Sequence, residues 1–236
     1  MRDVVFYPDC LDVFGIAEPS GISYYLIDMH SHNECNISNI SVLNPVINSK
    51  ETRSILRMET LWNCGNSIVS KIKSATGFRA YSIEEVTDLK TYTINVNKQL
   101  LNSLSRVWDW DASRIKDEYI GKGGCLFDKD GKAKVFGYPK VITASKNNSS
   151  GTSINLFTTD SIDEAKSFVS WMYSKFVGFL IIINKYAQNI MSDNGWRFVP
   201  DPGAFDHIFT DAELYKKYGL TPEEINIIES VIKERK

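Results

Sequence analysis

The sequence predicts a mixed α+β fold (an α/β mixture of strands and helices), and three observations carry that prediction. Short apolar runs bounded by turn residues alternate with longer segments whose apolar residues recur every three or four positions. An Asp-Gly pair separates two strand-like runs, the chemistry of a tight hairpin turn. Three Ser/Thr-x-x-Glu boxes, each a helix start, lie in the last third of the chain. With 43% hydrophobic and 12% aromatic residues among 236, there is material for a core and no compositional mark of disorder.

Residues 1–49 read as β structure. Gly21-Ile22-Ser23-Tyr24-Tyr25-Leu26-Ile27 is one strand, and residues 37–43 alternate apolar and polar as a second. The polar segment Asp28-Met29-His30-Ser31-His32-Asn33-Glu34-Cys35 between them makes the pair a hairpin. The first strand is apolar on both faces, which places it inside a larger sheet. Residues 51–75 have helical spacing, through Ile55, Leu56, Leu61, Trp62, Ile68, Val69 and Ile72. Gly65-Asn66 marks a break there, with Asn66 or Ser67 capping the second piece. Trp108 and Trp110 give residues 80–113 some burial, without a clear period.

Residues 119–159 return to β. Cys125-Leu126-Phe127 and residues 133–138 flank the Asp130-Gly131 turn; residues 139–144 and 152–159 are further strands. Residues 145–151 form a polar loop. Ser161-Ile162-Asp163-Glu164 opens a helix expected to run to about Asn189. Thr210-Asp211-Ala212-Glu213 opens a short helix that stops at Gly219. Thr221-Pro222-Glu223-Glu224 opens another, with proline at the first helical position and Ile225, Ile228 and Ile232 as its buried stripe.

Net charge is −2, but its distribution is uneven. Residues 50–79 carry six basic groups against two acidic ones, and residues 114–150 carry eight against four. Residues 1–49 carry one against six. Affinity for nucleic acid depends on such local surpluses more than on the total. The longest apolar run, residues 176–183, is flanked by Lys175 and Lys185 and is far short of the roughly 20 residues of a membrane span. The first ten residues carry Asp3 and Asp9 with no apolar stretch, so no secretory signal is expected. Cys10, Cys35, Cys64 and Cys125 show no paired spacing and read as reduced thiols of a cytoplasmic protein.

Few motifs carry chemistry. The His30-to-Cys35 cluster lacks the second ligand pair of a structural zinc site and reads as a polar turn. Asn44-Pro45-Val46-Ile47 approximates the Asn-Pro-Pro-aromatic loop of adenine methyltransferases, without its second proline and its aromatic. Gly121-Lys122-Gly123-Gly124 fits neither phosphate-loop pattern and reads as a turn. Pro8-Asp9 with Asp88-Leu89-Lys90, or Glu164-Ala165-Lys166, can be fitted to a metal-dependent nuclease pattern. No metal site, no catalytic residue and no membrane contact are expected.

A resemblance takes the reading further. Trp196-Arg197-Phe198-Val199-Pro200, then Thr210-Asp211-Ala212-Glu213-Leu214-Tyr215-Lys216-Lys217-Tyr218-Gly219-Leu220-Thr221-Pro222-Glu223-Glu224-Ile225, then Ile228-Glu229-Ser230-Val231-Ile232-Lys233, resembles the terminal signature of adenine-N6 DNA methyltransferases of type II-like restriction-modification systems. Glu164-Ala165, with Tyr173-Ser174-Lys175-Phe176-Val177-Gly178-Phe179-Leu180, is similar to the helix before that signature. Lys140-Val141-Ile142-Thr143-Ala144-Ser145 resembles a strand of the family's target-recognition region. Asp12-Val13-Phe14, residues 21–26 and Asn33-Glu34-Cys35 resemble the last β-hairpin of its catalytic domain. Ser82-Ile83-Glu84-Glu85-Val86-Thr87-Asp88-Leu89 stands where the family has an Arg-rich stretch. The resemblance places the family's cofactor loop and its Asn-Pro-Pro-aromatic loop upstream of residue 1.

The resemblance implies three parts: residues 1–50 as the end of a methyltransferase-like sheet, 51–209 as a target-recognition domain, and 210–236 as a helical tail packed on it. It implies sequence-specific recognition of double-stranded DNA by a fragment that does not methylate alone. S-adenosylmethionine would then belong to a catalytic partner, a methyltransferase subunit or domain. Lys122, Lys132, Lys134, Lys140 and Lys146 are expected to face DNA. Asn147 and Asn148 either read adenine edges or form a plain solvent loop. Lys175 and Arg197 contact phosphate, or Lys175 snorkels beside the core helix. Trp196 reads as core. The alternatives are a small metal-dependent restriction endonuclease and a degenerate protein-interaction fragment.

Overall fold

The computed structural model describes residues 2–8, 11–14, 21–28, 30, 34–54, 58–84, 86–97, 140–143, 153–184 and 193–232. Among these the fold is a mixture of helices and two sheets, as the sequence predicts. The first sheet has the order β2-β1-β3-β4. Strand β1 (Asp3–Tyr7) pairs antiparallel with β2 (Ile22–Leu26) and parallel with β3 (Cys35–Asn39); β4 (Ser49–Arg53) runs antiparallel to β3. A single turn of helix, α1 (Leu11–Phe14), lies between β1 and β2 in sequence.

The expected hairpin of residues 21–27 with 37–43 is not formed, because β1 lies between them: Val4 sits opposite both Tyr25 and Ile37. Nor is β2 interior. It is an edge strand, with Tyr25 61% and Leu26 55% exposed. An apolar run signals burial but not position in a sheet, and here its edge is left open. Residues 40–44 leave the strand. Ser41 N–H donates to Asn48 Oδ1 at 2.6 Å and Asn44 N–H to Ser41 Oγ at 2.9 Å, which turns the chain into a 3-10 helix over Pro45–Ile47.

Strand β4 runs on through residues 51–53, where helical spacing is expected, and the helix that follows, α2 (Asn63–Ser74), starts later. Its N-terminus is capped from another element: Asn63 N–H donates to Asn39 Oδ1 of β3 at 2.7 Å. Gly65 is therefore no break. It lies in the first turn, where a Cβ would come within 3.0 Å of Ile183 Cδ1 and 3.1 Å of Trp62 Cβ. Glycine permits that approach.

The second sheet, order β6-β5-β7, is antiparallel: β5 (Tyr92–Asn97) lies between β6 (Lys140–Thr143) and β7 (Ser153–Thr159). These are the strands expected over 139–144 and 152–159. The hairpin expected around Asp130-Gly131 lies outside the described residues. Helix α3 (Ile162–Tyr173) packs on this sheet.

The single helix expected from Ser161 to about Asn189 is two, α3 and α4 (Lys175–Ile183), bent by 52°. Ser174 makes the break. Its backbone is extended, its hydroxyl accepts from Val177 N–H at 3.2 Å, and its own N–H returns to Trp171 O at 3.1 Å. Apolar spacing continues across the bend, which is why periodicity hides it. Every residue of α4 from Phe176 to the end is buried. No single described helix is long and apolar enough to cross a membrane.

The last helices are α5 (Asp193–Trp196), α6 (Asp211–Lys217) and α7 (Pro222–Val231). All three pack against α4, and α7 also packs on α2. Thr221 and Glu224 close a reciprocal capping box. The other two boxes are half formed. Thr210 accepts from Glu213 N–H, but the Glu213 carboxylate turns to His207. Ser161 accepts from Glu164 N–H, while a Thr159 hydroxyl stands between Ser161 N–H and the Glu164 carboxylate. Past the C-cap Tyr218 of α6 stands Gly219, whose φ of 61° suits a residue without Cβ. The core joins Phe168, Trp171, Phe176, Phe179, Trp196 and Phe198.

Candidate nucleic-acid interface

The nine residues expected at DNA divide sharply. Lys122, Lys132, Lys134, Lys146, Asn147 and Asn148 lie outside the described residues. Lys140 opens β6, an outer strand, opposite Asn95 of β5. Lys175 begins α4 and forms an ion pair with Glu229 of α7, whose other oxygen accepts from Tyr215 Oη at 2.9 Å. That carboxylate thus joins α4, α6 and α7.

Arg197 is a clamp. Its Nε donates to Asn184 Oδ1 at 2.9 Å and its Nη2 to Glu59 O at 2.9 Å, with the guanidinium 4.5 Å from the Phe198 ring centroid. Nearby, Thr60 Oγ1 donates to Ile183 O at 2.7 Å, closing the end of α4. Trp196 is 1% exposed, in the core.

The basic stretch 50–79 is largely neutralised where it is described. Arg53 lies 3.4 Å from Glu51, Lys73 2.6 Å from Glu59 and Arg79 2.5 Å from Asp201. Lys71 lies 2.6 Å from Glu224 and also donates to Gly219 O at 3.2 Å. Burial works to raise the Glu224 pKa, but bonds from Lys71, Thr221 N–H and Ser67 outweigh it and hold the carboxyl below its ordinary range. The Lys71 pair ties α2 to the tail, and the Lys73 pair ties it to the loop before it.

One open groove does collect cationic and aromatic side chains. It has a volume of about 630 Å³ and lies among residues 75–79, residues 200–203 and the end of α6. Arg79 and Lys217 line it with Asp201, and Phe78 and Tyr218 supply aromatic faces. Tyr218 is held by a stacked contact with Phe176, centroids 5.2 Å apart. Burial, and the Asp201 charge, push its phenol pKa up to about 12, so the hydroxyl keeps its proton at neutral pH. In the sequence Arg79 belongs to the basic stretch and Lys217 to the terminal signature. Nothing in a linear reading brings the two together, 138 positions apart in the chain.

Among the described residues, no group of three or more His, Cys, Asp and Glu could hold a metal. Cys35 and Cys64 are free thiols. Asn44 is buried, and its amide nitrogen donates to Ser230 O at 3.2 Å, so this turn serves the packing of α7.

Compared with protein-family models, with curated proteins and with solved structures, the chain matches none.

Proposed function

We propose that this chain recognises double-stranded DNA in a sequence-specific way, as the target-reading part of a restriction-modification adenine methyltransferase whose S-adenosylmethionine-binding, catalytic portion is a separate domain or subunit. The observation that carries the reading is the terminal signature over residues 196–232. Those residues belong to the folded unit: Trp196, Phe198, Leu214, Tyr215 and Ile228 are all buried. The reading takes this resemblance as a shared fold, one that in the family serves to hold a duplex while a base is extruded.

The test is binding of the whole chain to random and mixed-sequence duplexes at two salt concentrations. Six phosphate contacts weaken affinity by roughly 10³-fold between 50 and 200 mM salt. Lys140→Glu with Lys146→Glu lowers affinity on this reading. A chain that binds no duplex at low salt overturns it and favours the protein-interaction alternative. Plasmid cleavage with magnesium or manganese, lost on Asp88→Ala, would favour the nuclease alternative; Asp88 is exposed, in a bend before β5.

A further inference from the structure

We propose that the groove between residues 75–79 and 200–203 is a sugar–phosphate subsite, taking one nucleotide-sized segment of a DNA strand. The inference rests on the DNA-recognition reading and adds to it a place and two residues.

The groove is preformed. Tyr81 N–H donates to Val199 O and Asp201 N–H to Arg79 O, both at 2.8 Å, around a bridge between Ala80 and Pro200. This short antiparallel ladder holds the backbones of the two loops against each other before a ligand arrives. Each wall carries a left-handed glycine, Gly77 at φ 75° and Gly203 at φ 87°. Nothing lies within 4 Å of where either Cβ would stand. The backbone on both walls is bare and can be approached closely.

The charge suits an anion. Arg79 is 76% exposed, and its contact to Asp201 runs through one nitrogen, Nη2. A guanidinium has five N–H donors, so most remain for a ligand. Asp201 also accepts from Gly203 N–H at 2.8 Å, so its carboxylate is occupied within its own loop. Lys217, 5.7 Å from the Tyr218 ring centroid, adds a second cation to the lining. With Arg79 paired to Asp201, the lining carries a net charge of +1, from Lys217, and the unused guanidinium N–H donors of Arg79 lie beside it.

The walls and size suit more than a bare phosphate. Phe78 and Pro202, both part-exposed, give the groove apolar surface, the complement of a deoxyribose, while buried Pro200 and the Tyr218 ring stacked on Phe176 back it. A volume of about 630 Å³ is many times that of a phosphate and falls in the range of small-ligand sites. An anion recognised at the rim, with an apolar ring system against the walls, is the chemistry of a nucleotide.

The experiment is fluorescence anisotropy of the full chain with a labelled duplex over a salt series. The variants are Lys217→Glu and Arg79→Gln/Lys217→Gln, with Lys166→Gln, an exposed cation on α3, as control. Thermal melts accompany each. Lys217→Glu stands apart from the Arg79–Asp201 pair, so it reads the groove even if Arg79→Gln loosens the loops. Both groove variants are expected to bind at least about tenfold more weakly at low salt. The slope of log K against log salt is expected to fall by roughly 0.9 for each phosphate that the variant no longer neutralises. The control keeps wild-type affinity and slope. Salt-dependent binding by the wild type that both groove variants retain in full overturns the subsite and leaves DNA recognition standing. No binding by the wild type overturns DNA recognition, and the subsite with it.

Discussion

Arg197 Nε donates to Asn184 Oδ1 at 2.9 Å, and through its Nη2 the same side chain reaches Glu59 O at 2.9 Å. A residue that the sequence offers to phosphate thus fastens the end of α4 to the loop that leads into α2. Arg197→Ala is expected to cost about 2 kcal/mol, because it removes two part-buried bonds from a charged donor. Arg197→Lys should recover little of this, since an ammonium cannot span the two acceptors as a planar fork does. Urea unfolding measures both; a lysine variant as stable as wild type would remove the clamp.

Gly65→Ala tests the approach of α2 to α4. In an open helix this change stabilises by roughly 0.5–1 kcal/mol. Here the new methyl group would meet Ile183 Cδ1 at 3.0 Å, Trp62 Cβ at 3.1 Å and Thr60 Cγ2 at 3.2 Å. Ile183 Cδ1 can move, but the Trp62 Cβ cannot without shifting backbone. Destabilisation of about 1–3 kcal/mol is expected from overpacking. A rise in melting temperature would show that the interface yields.

Ser174 divides the long apolar segment into α3 and α4. Its hydroxyl accepts from Val177 N–H at 3.2 Å and donates to Trp171 O at 2.7 Å, in a position 5% exposed. Ser174→Ala should cost about 1–2 kcal/mol, near the upper end for a lost N-cap, because water cannot replace a buried partner. Ser161→Ala provides the comparison. It removes the matching cap of α3, a bond from Glu164 N–H at 3.3 Å that is open to solvent, and should cost less. Equal losses at the two positions would deny Ser174 a special role at the bend.

His207 is bonded on both sides, Nδ1 to Asp206 Oδ1 and Nε2 to Glu213 Oε1, each at 2.7 Å. These bonds raise its pKa above the ordinary 6.5, and the bond to His207 lowers that of Asp206 below 3.8. A raised histidine stabilises the fold fully below its unfolded pKa, and that contribution fades as pH rises through the folded value. A lowered aspartate stabilises above its unfolded pKa and loses this as pH falls through the folded value. The cluster therefore contributes most between the two ordinary values, 3.8 and 6.5. His207→Gln should flatten the stability profile on its alkaline side, and the imidazole should titrate above 6.5 by NMR. The groups are solvent-facing, so the change is small. A titration at or below the ordinary value would dismiss the bridge.

Local chemistry carried the sequence a long way. The helix starts at Ser161, Thr210 and Thr221, the stop at Gly219, and the strands over 140–143 and 153–159 were all legible. Each depends on bonds or periodicities within a few residues, so a linear reading contains them. The charge surplus of residues 50–79 was legible as a count, but not as an interface. Arg53, Lys71, Lys73 and Arg79 each have a carboxylate partner, two of them supplied by Asp201 and Glu224, far along the chain.

Readable from the residues alone were the strands over 140–143 and 153–159, the starts of three helices and the apolar side chains of the core, but not β4, β5 or the bend at Ser174. Packing set β1 between β2 and β3, brought Asn39 to the start of α2, turned Arg197 to Asn184 and Glu59, and placed Arg79 and Lys217 on one groove. These relationships join residues far apart in the chain. Thr60 and Ile183 are bonded across 123 positions and Arg197 and Glu59 across 138, and such pairings are selected by how whole elements pack, a choice no local window of residues contains.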